Sequence, residues 1–186
     1  MKFFSVILIT FLCCVEGYAQ QAYSQKEPFA HTYSIVARDT ITGEMGVAVQ
    51  SSWFSVGSLV TWGKAGVGVV ATQSFVNPSF GPRGLSLLEN GLTPKMAVET
   101  LLALDEGKEV RQLAILDVNG NVEAFTGSNC IKEAGHIVGD NFSVQANLME
   151  KNTVWPAMEK AFKNAKGSLA ERMLIAMEAA QNEGGD

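Results

Sequence analysis

The segment from Ala30 to Ser52 reads AHTYSIVARDTITGEMGVAVQSS and contains two alternating apolar runs, residues 33–37 and 44–50. Because side chains of a strand point alternately to its two faces, each run is typical of a β-strand. The turn-forming residues Asp39 to Gly43 lie between the runs, so the segment predicts a β-hairpin. Asp39 is expected to accept hydrogen bonds from backbone N–H groups of that turn. Thr32 stands at the head of the first strand.

The rest of the chain predicts further strands and helices. The predicted strands cover residues 59–62, 67–72, 111–117, 122–126 and 142–148, with loops at 77–83 and 136–141. The predicted helices cover residues 84–91, a segment that begins at Thr93-Pro94 with Thr93 as N-cap, and residues 154–181 with a break at Gly167-Ser168. Hairpins without regular βαβ alternation predict an α+β domain. Antiparallel sheets covered by apolar helices form a layered sandwich.

The first residues carry an export pattern. Residues 1–19 start with one basic residue, continue with an apolar run from Phe3 to Val15 and end at a small residue, Ala19. This is the pattern of a secretory signal peptide, and the run is short for a bilayer span. We therefore expect a periplasmic or extracellular protein without a permanent membrane span; a membrane anchor is the alternative. Residues 20–31 form a polar lead without apolar periodicity.

Composition excludes several classes of function. The chain has 14 Lys and Arg against 19 Asp and Glu, a net charge of −5, and no basic cluster, which argues against nucleic acid as a partner. With two histidines and no HExxH or CxxC motif, we expect no metal and no cofactor. Only Cys130 follows the signal peptide, so it is either a buried thiol or a link between two copies in a homo-oligomer.

Thr32 is the candidate catalytic residue. A threonine at a free amino terminus carries its own base, because the α-amine has an unperturbed pKa of ~7.7–8.0 and can accept the hydroxyl proton. Such chemistry needs the lead, residues 20–31, to be removed by a cut between His31 and Thr32. The alternative is an ordinary strand threonine.

Other side chains are candidates for supporting roles. The oxyanion or pocket candidates are Ser51, Ser52, Gln73, Asn77, Gln145 and Asn147, whose alternative role is to satisfy buried backbone groups. Arg83 and Arg111 are candidates for binding a substrate carboxylate, with a salt bridge as the alternative. The aromatic residues Trp53, Phe54, Trp62, Phe75 and Phe80 form either a sugar-binding platform or packing contacts. A cysteine-dependent enzyme that uses Cys130 with His136 is a further alternative.

Four segments resemble a known family. They read TYSIVARDTITGEMGVAVQSS, VGSLVTWGKAGVGVVATQSFVNPSFGPRGL, VRQLAILDVNGNVEAFTG and FSVQANLM. Together they resemble the signature blocks of the DUF1028 family from Thr32 to Asp186. The resemblance implies a four-layer αββα sandwich like that of the N-terminal-nucleophile (Ntn) hydrolases, and in many members the chain begins at the threonine matching Thr32. Relatives usually continue past Gly184-Gly185-Asp186, so we expect the domain, residues 32–186, to be truncated at its C-terminus.

Two functions follow as expectations. The first is an exported Ntn-type hydrolase that cleaves a small amide or peptide bond, with Thr32 as nucleophile. The second is a non-catalytic module on the same fold that binds a peptidoglycan fragment or a small metabolite. Both expectations have a small-molecule or cell-wall-derived ligand as the partner.

Overall fold

The computed structural model of the chain describes residues 31–185. The predicted signal peptide and the lead up to residue 30 lie outside the described residues. Within them the chain is a mixed α+β protein with two antiparallel four-stranded sheets and five helices. No helix of this described part is long and apolar enough to cross a membrane.

The first sheet has the strand order β2-β1-β8-β7, and the second has the order β3-β4-β5-β6. The strands of the first sheet are β1 (Thr32–Arg38), β2 (Met45–Ser51), β7 (Gly135–Gly139) and β8 (Phe142–Asn147). Those of the second sheet are β3 (Thr61–Lys64), β4 (Gly68–Ser74), β5 (Arg111–Asp117) and β6 (Val122–Thr126). The hairpin predicted from the opening segment is confirmed as β1 and β2, with Thr32 opposite Ser51.

Helices cover the outer face of each sheet. The helices of the described residues are α1 (Gly57–Val60), α2 (Phe80–Glu89), α3 (Pro94–Ala103), α4 (Val154–Asn164) and α5 (Leu169–Gly184), with a 3₁₀ turn at Lys108–Val110. The helices α4 and α5 pack on the first sheet, while α2 and α3 pack on the second. Thr93 caps α3 as predicted, and Ser168 with Glu171 forms a capping box that begins α5 after the predicted break.

A further apolar cluster lies between the two sheets. It consists of Val36, Val60, Val69, Ala71, Ala114, Leu116 and Ala124. In β1 the alternation directs Tyr33, Ile35 and Ala37 toward the helices, while Val36 points toward the second sheet. Each sheet therefore has helices on one face and the other sheet on its inner face.

Three boundaries differ from the sequence prediction. The predicted loop at 136–141 is wrong, because residues 135–139 form β7, which returns into β8 through a tight turn with Asn141 at φ 63°. Leu59 and Val60, predicted as strand, belong to α1, and β3 begins at Thr61. The helix α2 begins at Phe80, inside the predicted loop at 77–83.

The turn role of Asp39 is confirmed. Its Oδ1 accepts hydrogen bonds from the backbone N–H groups of Ile41 and Thr42 at 2.8 and 2.9 Å. These two bonds, the one from Thr42 foremost, lower the pKa of Asp39. The carboxylate therefore stabilises the β1–β2 turn.

Candidate functional site

The layer between the sheets changes from apolar to polar toward one end of the sandwich. Along β1 the inward positions run from Val36 through Ser34 to Thr32, and along β5 they run from Leu116 through Ala114 to Gln112. We call this region the polar end; its side chains are Thr32, Ser34, Ser51, Gln73, Gln112, Thr126, Gln145 and Asn147. Burying so many polar groups costs free energy unless they are hydrogen-bonded. Because the chain keeps these polar side chains buried between the sheets, we take the polar end as the candidate site.

Thr32 lies at the edge of this region, at the start of a strand that runs between β2 and β8. Its side chain is 7% exposed, and its Oγ1 shares a hydrogen bond of 2.9 Å with the Oγ of Ser51. Ser51 Oγ also accepts a hydrogen bond from the backbone N–H of Trp53 at 3.1 Å. One step upstream, the carbonyl of His31 accepts from the N–H of Ser52. The Thr32 hydroxyl is thus held by its neighbour across the hairpin.

Gln112 is the centre of a hydrogen-bond network that joins the two sheets. Its Oε1 accepts from Gln73 Nε2 at 2.6 Å and from Asn147 Nδ2 at 3.0 Å. Its Nε2 lies within donor distance of Ala146 O at 2.9 Å, Gly135 O at 3.2 Å and the hydroxyl of Thr126 at 2.8 Å. Since Asn147 pairs with Thr32 in the first sheet, this network adjoins the candidate nucleophile.

The network reaches a cavity through His136. The Nδ1 of His136 lies 2.8 Å from Thr126 Oγ1, and both residues line a cavity of about 620 Å³ between the edge strands β6 and β7. Burial lowers the pKa of His136 and raises the pKa of the Cys130 thiol, which lines the same cavity. The imidazole is therefore neutral, and the thiol is protonated near neutral pH. The Cys130 thiol donates to the Arg111 carbonyl at 3.3 Å.

Two of the four non-glycine residues with positive φ in the described part of the chain lie beside amides of the polar end. Ser74 and Leu148 have φ values of 66° and 59°, in the left-handed region that side-chain-bearing residues rarely adopt. Each directly follows an amide residue of the polar end, Gln73 or Asn147. Such strain is typically retained where the surrounding structure holds a functional geometry.

The remaining candidates from the sequence lie in other contacts. Gln145 donates from Nε2 to Ser34 Oγ at 2.7 Å and accepts at Oε1 from Ser143 Oγ at 2.9 Å, so both ends of its amide are satisfied. Asn77 Oδ1 accepts from the N–H and hydroxyl of Ser79 just before α2. The side chain of Ser52 is exposed.

The two arginine candidates differ from each other. Arg111 forms an ion pair with Asp105, with its Nε 2.8 Å from Asp105 Oδ2, and this contact lowers the pKa of Asp105. Arg83 lies exposed on α2 and forms no ion pair with a described residue. Neither guanidinium takes part in the network around Gln112.

The aromatic candidates separate into two groups. Phe80, the first residue of α2, is fully buried in the apolar cluster between this helix and the second sheet, and Trp62 packs against the same cluster. Trp53, Phe54 and Phe75 are more than half exposed, at 57%, 89% and 55%. They lie on loops that leave β2 and β4 at the ends carrying Ser51 and Ser74.

A wider groove lies elsewhere on the described part of the chain. A groove of about 910 Å³ lies between β2 and α5, with mainly apolar walls that include Leu169, Met173 and Met177. It is lined by no side chain of the polar end, and its outward location separates it from the buried hydrogen bonds that distinguish the site. Geometry and chemistry therefore favour the polar end as the functional site.

Sequence reasoning missed Gln112 and Thr126, and it considered His136 only as a partner of Cys130. A signal was present for the first of these, because Gln112 shares the parity of Ala114 and Leu116 along β5 and so must point inward. Thr126 lies two residues after Ala124, an inward-facing residue of β6, so it must also point inward. In the described part of the chain no group of three His, Cys, Asp or Glu residues is arranged to hold a metal ion.

Comparison with known proteins gives a family without an assigned activity. The model of a family of unknown function, DUF1028, matches residues 32–186. The crystal structure of protein SPO2555 from Silicibacter pomeroyi, which carries the same family model, is similar to this chain with a TM-score of 0.80 and 33% sequence identity. The match covers 83% of this chain and 69% of that one. No curated protein matches the sequence.

Proposed function

The chain belongs to the DUF1028 family, and from this premise we propose that it is an exported Ntn-type hydrolase that cleaves a small amide or peptide bond with Thr32 as nucleophile. The observation that carries the proposal is the position of Thr32. Its hydroxyl lies at the start of a buried strand, 2.9 Å from the hydroxyl of Ser51, beside a buried amide network. A rigid strand end is a suitable mount for a reacting atom.

The layer order supports the same proposal. Two sheets face each other and helices cover both outer faces, which agrees with the αββα sandwich of Ntn hydrolases. The export pattern of residues 1–19 suggests a substrate outside the cytoplasm, and fragments of the cell wall are rich in short peptides. The proposed substrate class is therefore a small amide or peptide derived from the wall.

The proposed reaction begins with a cut between His31 and Thr32. The freed α-amine accepts the proton of Thr32 Oγ1 as that oxygen attacks the substrate carbonyl. The tetrahedral intermediate collapses to an acyl ester on Thr32, and the α-ammonium gives its proton to the departing amine. Water, activated by the same α-amine, then hydrolyses the ester, which releases the acid and restores the hydroxyl. Ser51 keeps the Thr32 hydroxyl oriented through both steps.

The proposal is tested by protein chemistry on exported material. Intact mass and terminal sequencing should give Thr32 as the first residue, and a hydroxyl-trapping β-lactone should add to its Oγ1 in peptide maps. Thr32→Ser should retain the adduct and Thr32→Val should lose it. Thr72→Val is the matched control, because Thr72 is also a buried strand threonine but lies on the helix-covered face of β4. An active protein that retains residues 20–31 would contradict the proposal.

One observation favours the alternative of a non-catalytic binding module. Each end of the Gln145 amide has an internal hydrogen-bond partner, and Asn147 donates to Gln112, so neither amide is wholly available to an oxyanion. A protein that keeps its lead and binds a wall peptide equally well with Thr32 or with Val at that position would support the module.

A further inference from the structure

Gln73 has a buried acceptor without a partner. The residue is 1% exposed, and its Oε1 has no hydrogen-bond partner within the described part of the chain. An unsatisfied buried carbonyl oxygen is rare, since most such atoms are bonded to protein or to ordered water. The side chain points into the layer between the sheets, on the same inward parity as Val69 and Ala71.

The orientation of this amide is fixed by backbone groups. The carbonyls of Ala146 and Gly135 can only accept, so the atom of Gln112 that faces them must be its NH₂ group. Gln112 Oε1 must then face Gln73 and Asn147, and both of these must present NH₂ groups to it. An exchange of O and N in Gln73 would place two carbonyl oxygens 2.6 Å apart. The oxygen of Gln73 is therefore directed away from Gln112.

We propose that Gln73 Oε1 accepts a hydrogen bond from an N–H group of the ligand, so that the site selects amides over the corresponding esters. This inference rests on the proposed function in one respect: the proposed function identifies the amide bond of the ligand as the bond that is cut. A ligand that brings an N–H satisfies the buried oxygen, whereas an ester places its own oxygen against it and leaves the acceptor unpaired. Sites built around such a group discriminate strongly against analogues that lack the donor.

Gln145 provides a matched control. It is also a buried glutamine on an inward position, but Ser34 and Ser143 satisfy both ends of its amide. Gln73→Met and Gln145→Met remove the same polar group from the same layer. Only the first removes an acceptor that has no partner of its own.

The test measures binding in the full chain carrying Thr32→Val, which cannot turn substrate over. The probes are N-acetyl-alanyl-alanine and its depsipeptide, in which the central N–H is replaced by oxygen. Affinities are measured by isothermal titration calorimetry in every variant, and the side-chain NH₂ resonances of Gln73 are followed in the chain that keeps this residue. We expect the dipeptide to bind at least about 10-fold more tightly than the depsipeptide. The ratio should fall to about one in Gln73→Met and should be unchanged in Gln145→Met.

Several results would overturn the inference. Equal binding of the two probes, or a dipeptide that leaves the Gln73 resonances unmoved, means that the oxygen is satisfied by a resident water. If selectivity is found in the uncleaved chain but is lost in protein cleaved before Thr32, then Gln73 accepts from the freed α-amine and the ligand assignment is wrong. If Gln73→Met does not fold, the resonance shift in the chain with Gln73 intact decides the question.

The two proposals fail separately. Selective amide binding without β-lactone labelling of Thr32 contradicts the hydrolase and supports the role of Gln73. Labelling of Thr32 with equal binding of amide and ester contradicts the role of Gln73 and leaves the hydrolase in place.

Discussion

Replacing Gln112 should lower the free energy of unfolding by more than the cost of one unsatisfied polar group, because two buried donors share its side-chain oxygen. Gln112→Met keeps a similar side-chain volume but removes the acceptor of two buried donors, Gln73 Nε2 and Asn147 Nδ2, both on residues 1% exposed. Leaving one buried polar group unsatisfied costs about 1–3 kcal/mol. Two such groups make the expected loss in the free energy of unfolding about 2–6 kcal/mol. This is a large part of the ~5–15 kcal/mol typical of a folded domain.

Urea denaturation followed by circular dichroism measures this loss. The slope of the unfolding free energy with urea should stay constant, because the surface exposed on unfolding barely changes. The double variant Gln112→Met with Gln73→Met removes one of the orphaned donors together with its acceptor. It should therefore be destabilised by about 1–3 kcal/mol less than the sum of the single variants.

Two results would refute the reasoning. A loss below about 1 kcal/mol in Gln112→Met would mean that water or a rearranged amide satisfies the donors. Strict additivity in the double variant would mean that Gln73 and Gln112 do not depend on each other, and the orientation argument for Gln73 would lose its basis.

Three further predictions follow from individual contacts. Ser51→Ala should slow β-lactone labelling of Thr32 about five- to tenfold, because one hydrogen bond worth ~1–1.5 kcal/mol is lost, and equal rates would exclude Ser51 as a positioning group. Burial lowers the pKa of His136, so the unfolded chain binds a proton at this residue more tightly than the folded chain does. The free energy of unfolding should therefore fall as the pH drops below about 6.5. His136→Gln should reduce this dependence on pH, measured by urea denaturation between about pH 5.5 and 7. Gly68→Ala should lower the free energy of unfolding by ~1–3 kcal/mol in thermal denaturation, because a Cβ would lie 2.3 Å from a backbone carbonyl oxygen of β5. Gly63→Ala on β3 should lower it less, because the nearest side chain would lie 3.4 Å from the new Cβ.

Local patterns were sufficient for much of the fold. The β1–β2 hairpin followed from alternation around turn formers that include Asp39, and α3 followed from Thr93 as N-cap before Pro94. The strand β7 was missed because its core of His136, Ile137 and Val138 is short and bounded by glycines, so that its pairing with β8 decides its conformation. Leu59 and Val60 form a helical turn despite their apolar character, because α1 packs against β3 and β4.

The site was less accessible from sequence for a physical reason. The pairing of Thr32 with Ser51 follows from the hairpin register, which a sequence can give. The link between Gln112 and Asn147 joins two sheets across 35 residues of chain, and no local periodicity indicates which strands will face each other. Parity could identify Gln112 as inward-facing, but only the stacking of the sheets shows what it meets.

The change from apolar to polar along the inter-sheet layer has a consequence for motion. Separating the sheets at the Val36 end exposes hydrocarbon to water, whereas separating them at the Thr32 end exchanges internal hydrogen bonds for bonds to solvent. Local opening should therefore have a lower free energy at the Thr32 end, so amide protons there should exchange with deuterium earlier than those near Val36. The Thr32 end of the sandwich can therefore open locally to solvent while the Val36 end keeps the two sheets together.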